Sequence, residues 1–268
     1  SQRIRRPRLQ HEARLLRALE GHPAIPRLVA YGHLQHFEYL AMELLGKSLE
    51  AVAPKYGMDE RTVAKIAVHL LSALEFIHSR GVVHRDIKPA NILLTLDHPV
   101  TLRLIDFGIA RPFRIGIPTQ HDPIQERRNV PGTLHWVSLN AQLGYDTSRR
   151  DDIESLAYTL LFLLRGSLPW QRYNARSGTL FGCMKQVREK KRQWPGQRLG
   201  EGMAKEFGDL LDYARALEFD SEPDYEGLRS NFQRLAGSQA EEALDFCMHS
   251  FSSVLTCLSI LQQFQHPK

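Results

Sequence analysis

One stretch constrains the fold more than any other. From Asp59 to Gly81 the apolar residues Val63, Ile66, Leu70, Leu74 and Ile77 recur at three- and four-residue steps, the spacing of an amphipathic helix. Asp59 stands at the N-cap position, where a carboxylate accepts from the first unpaired N–H groups. The helix delivers the chain directly into the polar cluster VVHRDIKPAN. NILL and VTLRLID follow as short strands joined through TLDHP, so a second cluster, DFG at Asp106 to Gly108, falls just past a strand end.

The flanks are read in the same way. PRLQHEARLLRALEG carries Leu9, Ala13, Leu16 and Leu19 at helical spacing, with Pro7 near its start and Gly21 at its end. RLVAYG and FEYLAME are strand-like. From Arg111 to Leu143 the chain is rich in Pro, Gly and Arg and lacks periodicity, too long a stretch for a mere connection and therefore expected to be functional. Helical patterns return near 151–165, 203–218 and 225–235, and no internal repeat is visible. The tail from about 237 to 264 keeps Cys247, Phe251, Val254, Leu258 and Leu261 at helical spacing, which suits packing against the body or a partner better than a membrane.

Composition narrows the class. With 268 residues and 43% hydrophobic content, the chain can bury one substantial core, or a large lobe with a smaller one against it. Three cysteines, Cys183, Cys247 and Cys257, in unpaired spacing suggest neither a disulfide framework nor a zinc site. No secretory signal and no membrane-length apolar run occurs, so an intracellular location, cytoplasmic or nuclear, is expected. A net charge of +5 favours anionic partners. Nucleic acid ranks last among them, because the basic residues are scattered and come without an aromatic stacking motif.

Asp86, Asn91 and Asp106 can each offer an oxygen to a hard cation, and magnesium is usually held by one or two carboxylates with phosphate oxygens completing its octahedron. Asp86, flanked by Arg85 and Lys88, is a carboxylate kept ionised by cations and able to accept a proton from an attacking hydroxyl. Lys88 would then face charge developing on a transferred phosphoryl group. Taken singly, each of these residues is better read as a solvated loop residue.

Taken together, H-R-D-x-x-x-x-N, a strand pair and D-F-G resemble the protein kinase family. The resemblance implies an α+β, protein kinase-like fold: a mostly helical large lobe with an incomplete small β-rich lobe. It implies residues 1–45 as a small-lobe remnant (a helix, two strands and the hinge), 46–236 as the large lobe and 237–268 as a helical tail. It assigns Asp86 as catalytic base, Lys88 as phosphate stabiliser, and Asn91 with Asp106 as Mg2+ ligands, with ATP as phosphoryl donor. Lysine two residues after the aspartate is the serine/threonine variant. MELLGKSLE, PGTLHWVSLNAQLG, SRRDDIESLAY, GSLPWQ and EFDSEPDYEGLR further resemble the casein kinase I group, in which a Ser-Ile-Asn-like segment, here Ser138, Leu139 and Asn140, replaces Ala-Pro-Glu. On that resemblance Met42 is the gatekeeper, and backbone groups of Glu43 and Leu45 bind adenine. Thr133 lies near Asp86 and Lys88, and Asp152 anchors the catalytic loop. AMELL also reads as a strand end, Gly-Thr as a turn, and Asp152 as an ordinary carboxylate in a helix's first turn.

Two departures bear on function. Glu12 matches the helix glutamate that pairs with a strand lysine, yet that lysine and the Gly-rich phosphate loop do not occur in the sequence; they are expected ahead of Ser1, making this chain a fragment that binds ATP weakly by itself. Arg128 matches one basic position of the group's site for acidic or phosphorylated substrate residues, whereas the arginine expected after Gly-Thr is His135; Arg127 and Arg128 also read as solvated loop charges. The leading expectation is thus a serine/threonine protein kinase acting on acidic or phosphorylated proteins. A catalytically inactive kinase-like interaction module is the alternative. A small-molecule phosphotransferase shares the base and metal positions but leaves the long loop unexplained.

Overall fold

The computed structural model describes residues 8–35, 37–97, 100–113, 115–120, 130, 132–173 and 179–237. The first helix, α1 (Arg8–Ala18), buries Glu12, Ala13 and Leu16 on one face. It packs on an antiparallel pair, β1 (Leu28–His33) with β2 (Glu38–Met42), in which Leu28 lies opposite Met42 and a bulge follows. From Met42 the chain runs through Glu43 to Leu45, and a Gly46 N–H to Leu94 carbonyl bond of 2.8 Å ties this crossing to the rest of the molecule.

A single turn, α2 (Leu49–Val52), precedes the long helix α3 (Glu60–Ser79). Asp59 caps α3 as expected, its Oδ1 accepting from Thr62 N–H at 2.9 Å. The predicted apolar positions Val63, Ile66, Leu70, Leu74 and Ile77 are all buried. Next come β3 (Val82–Val83), the polar loop ending in a 3-10 turn at Pro89–Asn91, and the hairpin β4 (Ile92–Leu94) with β5 (Leu102–Leu104). A strand absent from the sequence reading, β6 (Arg111–Pro112), pairs back onto β3 with Val83 opposite Arg111. Two residues are too short for a periodicity signal, and Pro112 reads as a breaker unless it occupies an edge.

The helical body continues with α4 (Leu139–Gln142), α5 (Arg149–Arg165), α6 (Leu180–Gln193), α7 (Gly196–Leu199), α8 (Lys205–Ala216) and α9 (Tyr225–Ala236). Helix α5 is buried on nearly every side, its first turn included, which marks it as the central helix of the body. It packs against α3 and α8, while α9 lies along α3. Gly166 ends α5 at φ 74°; a Cβ there would stand 2.1 Å from the Lys55 carbonyl oxygen, so only glycine lets the loop before α3 press onto this helix end. The result is the expected α+β class, helices dominating and strands short.

Helix α6 was also absent from the sequence reading. Its sequence LFGCMKQVREKKRQ contains a glycine and a basic run, and its buried positions are Cys183, Met184, Val187 and Lys191. A lysine in the inward stripe hides the helical period.

Candidate active site

Both polar clusters converge between the helical body and α1. The loop from His84 to Asn91 rests on Asp152, in the first turn of α5. The Asp152 carboxylate accepts from His84 N–H at 2.7 Å, Arg85 N–H at 2.8 Å and His78 Nε2–H at 2.9 Å. His78 is completed by the Tyr225 hydroxyl, which donates to its Nδ1. Burial alone would raise the Asp152 carboxyl, but the His78 bond and charge, His84 and the Arg85 N–H hold it below the ordinary carboxylate range. It is a buried anion with every bond satisfied, and it fixes the loop.

The loop itself is strained where it turns. Arg85 has φ 74° and Asp106 φ 66°, left-handed values uncommon for residues other than glycine. One acceptor and one donor hold the His84 ring between them. Its Nε2–H donates to the Ile105 carbonyl at 3.1 Å, and its Nδ1 accepts from Asp86 N–H at 3.3 Å. Burial, against the pull of Asp152 and Asp86, keeps its pKa below the usual histidine value, which agrees with one N–H and one acceptor nitrogen. Its ring meets Phe107 edge-on at 4.7 Å, so the HRD and DFG clusters touch through this pair.

Asp86, Lys88, Asn91 and Thr133 form one hydrogen-bonded ring. Asp86 Oδ1 accepts from the Thr133 N–H at 3.0 Å and the Thr133 hydroxyl at 2.8 Å. Its Oδ2 accepts from Lys88 Nζ at 2.7 Å and Asn91 Nδ2 at 3.1 Å. Lys88 Nζ also reaches the Thr133 hydroxyl oxygen, at 2.7 Å. Thr133 comes this close because Gly132, at φ 99°, passes over the loop: a Cβ there would stand 2.7 Å from the Arg85 carbonyl oxygen. Arg85 does not take part. Its Nη1 donates to the Ile109 carbonyl at 3.3 Å, so Lys88 is the cation beside Asp86 and the expectation that both flank the carboxylate is corrected.

Across the site, Asn91 and Asp106 are joined through the backbone, Ile105 N–H donating to the Asn91 carbonyl at 2.9 Å. Asn91 commits its Nδ2 to Asp86, which leaves Oδ1 for a cation; Asp106 is an exposed carboxylate at the end of β5. Two hard oxygen donors without thiol or imidazole fit Mg2+. Among the described residues no group of three His, Cys, Asp or Glu could hold a metal by itself, so the rest of the ion's shell would come from water or phosphate oxygens. Glu12, from α1, faces the same corner, its Oε1 accepting from Phe107 N–H at 3.1 Å. Burial, then the Asp106 charge, raises the Glu12 carboxyl above its ordinary range. Beside it His11 Nε2–H donates to the Ala110 carbonyl at 2.7 Å, a contact the sequence gave no reason to expect.

Met42 ends β2, and Glu43 follows with its N–H bonded to the Arg27 carbonyl at 3.0 Å. Its carboxylate accepts from Arg27 N–H and Arg103 Nε, each at 2.9 Å. Among the described residues the Glu43 carbonyl and the Leu45 N–H have no backbone partner. Arg128 lies outside the described residues. His135 donates its Nε2–H to the Tyr173 carbonyl at 2.8 Å, and its own carbonyl accepts from Trp170 Nε1 at 2.9 Å.

The Ser138 to Asn140 segment is clamped by buried groups that sequence reasoning missed. The Ser138 hydroxyl donates to Asp151, and Leu139 N–H to Glu154 Oε1 at 3.1 Å. Glu154 also accepts from the Tyr158 hydroxyl at 2.5 Å and Arg215 Nε at 3.2 Å. The available signal was the acidic first turn of SRRDDIE, with Asp151 three residues after Ser148 as in a capping box. Among the described residues no helix is long and apolar enough to cross a membrane. A family model described as the protein kinase domain matches residues 2–222, and with the loop, the DFG corner and their shared anchor brought together as above, the chain belongs to the protein kinase domain family.

Proposed function

We propose that this protein is a serine/threonine protein kinase of casein kinase I type, which moves the γ-phosphoryl group of ATP to hydroxyls of acidic or phosphorylated proteins. The observation that carries the reading is the ring of Asp86, Lys88 and Thr133 beside Asn91. A carboxylate offers about four lone-pair sites, and Asp86 already accepts four bonds. An acceptor hydroxyl therefore reaches it by displacing a donor, and the Thr133 hydroxyl is its chemical equivalent. The proton then passes to Asp86 as the acceptor oxygen bonds to phosphorus and the bond to the ADP oxygen breaks. Lys88 stands where charge builds on the transferred group. Asn91 and Asp106 would hold Mg2+, which when bound neutralises phosphate charge. Glu43 and Leu45 would contact adenine next to Met42.

Arg128 and His135 are the residues we assign to an acidic or phosphorylated side chain of the substrate, supported by the basic balance of the chain. The test offers the protein Mg-ATP with peptides bearing serine, threonine or tyrosine, each with and without an upstream phosphoserine. Transfer to serine and threonine only, with higher efficiency on phosphorylated peptides that shrinks as salt rises, supports the reading. Transfer to tyrosine alone removes it, and so does no transfer by a folded protein that also carries the Gly-rich loop and the strand lysine; the latter result supports an interaction module instead.

A further inference from the structure

Lys191 is the one lysine among the described residues that is fully buried, at 0% exposure. Its neighbours in the run REKKRQ are charged or polar and half-buried or exposed, as the run reads in the sequence. Instead its Nζ donates to the carbonyls of Val137 at 2.5 Å and Leu134 at 3.3 Å. The Nζ lies over the rings of Tyr158, at 4.6 Å, and Trp170, at 5.5 Å. Its carbonyl accepts from Arg215, which bonds Glu154. Burying a lysine is costly unless its donors are used, and here they are used on one short turn.

That turn begins at the site. Trp136 N–H and Val137 N–H both donate to the Thr133 carbonyl, at 2.9 and 3.0 Å. Thr133 thus carries Asp86 and Lys88 on its hydroxyl, and on its carbonyl a turn whose far side ends on Lys191. Gln142 supplies a second tether, its Nε2 donating to the same Leu134 carbonyl at 2.9 Å.

We propose that Lys191 is a positioning residue for the acceptor substrate: by tying down the carbonyls of Leu134 and Val137 it fixes the turn that sets Thr133 against Asp86 and Lys88. The role as stated for an acceptor rests on the kinase reading above, whereas the tether itself does not. Two measurements on the full chain keep them apart. Hydrogen exchange needs no activity. Lys191→Met keeps the side-chain length and removes the donors, and amides of residues 134–144 are expected to exchange about tenfold faster or more, with those of α3 unchanged. In phosphotransfer assays the KM for the acceptor peptide is expected to rise about tenfold while the KM for ATP holds, and Lys190→Met, one residue away, is expected to change neither. Unchanged exchange over residues 134–144 overturns the tether, and so does equal acceleration throughout the chain. Faster exchange there with an unchanged peptide KM overturns the role in acceptor positioning. A wild-type protein that carries the Gly-rich loop and strand lysine yet shows no transfer defeats the kinase reading, and the exchange result still decides the tether. Should Lys191→Met not fold, Gln142→Leu removes the other tether on Leu134 and has to loosen the same residues.

Discussion

The two sides of the site are held by different means. Asp86, Lys88, Asn91 and Thr133 stand on the helical body, above a floor of buried polar groups: Asp152 holds the loop, and Asp151, Glu154 and Lys191 hold the turn that follows Thr133. The other side, Asp106 with α1 and the β1–β2 pair, is tied to the body by Phe107 N–H to Glu12, His11 to Ala110, Leu104 N–H to the Ala24 carbonyl and the Arg103–Glu43 ion pair. Its sheet leaves Val29 56%, Phe37 58% and Tyr39 42% exposed. On the body side the buried carboxylates of Asp152 and Glu154 each take three donors, whereas on the α1 side the buried carboxylate of Glu12 takes one. The difference teaches that the Asp86 side of the site is fixed by the buried body, whereas the Asp106 side rests on more exposed elements, which local opening reaches first.

The largest effect is expected at the floor. Asp152→Ala strands the N–H groups of His84 and Arg85 and the His78 ring in the interior, at a cost of about 3–5 kcal/mol. Thermal unfolding reads this. Because the Asp152 carboxyl is depressed in the folded state, its contribution is full above the unfolded pKa and is lost as pH falls through the folded one. Wild type and variant therefore have to converge in acid; a constant gap would contradict the anchoring role. Next, Gly132→Ala forces a Cβ toward the Arg85 carbonyl oxygen at φ 99°. We expect a loss of about 1–3 kcal/mol and weaker phosphotransfer than a comparable surface change would give.

Asp151 sharpens the comparison through pH. Burial raises its pKa from 3.8 to about 7, against the Ser138 and Ser148 bonds that lower it. A carboxyl raised by folding binds its proton more tightly in the native state, so stability falls as pH rises between those two values. Asp151→Asn is expected to flatten that slope in denaturant titrations run from pH 4 to 7. The smallest effect belongs to the α1 side: Glu12→Gln retains an acceptor for Phe107 N–H, relieves the repulsion from Asp106, and shifts stability by under about 1 kcal/mol. A shift as large as that of Asp152→Ala would break the contrast between the two sides.

Much of this was legible in the chain. The period of α3, its Asp59 cap, the hairpin of β4 and β5 and the place of DFG follow from local patterns that tertiary contacts reinforce. The order of HRD, Asn91 and DFG carried the resemblance to protein kinases, and the family match agrees with it. What stayed hidden depends on partners distant in sequence. Lys191 looks like a surface lysine until Leu134 and Val137 are folded against it. Arg85 looks like a second cation for Asp86, but its left-handed backbone turns the side chain toward Ile109. Strand β6 exists only because β3 is there to pair with it.

The most direct test compares Asp86→Asn with Asp106→Asn in the full-length protein, by calorimetric titration with Mg-ATP and single-turnover phosphotransfer on the same preparations. One carboxylate is assigned to the acceptor hydroxyl and the other to the metal. The account predicts that Asp86→Asn binds Mg-ATP as the wild type does while transfer falls about 10^2 to 10^4-fold, and that Asp106→Asn loses magnesium-dependent binding with its fold intact. Wild-type transfer by Asp86→Asn, or unchanged magnesium-dependent binding by Asp106→Asn, would contradict it.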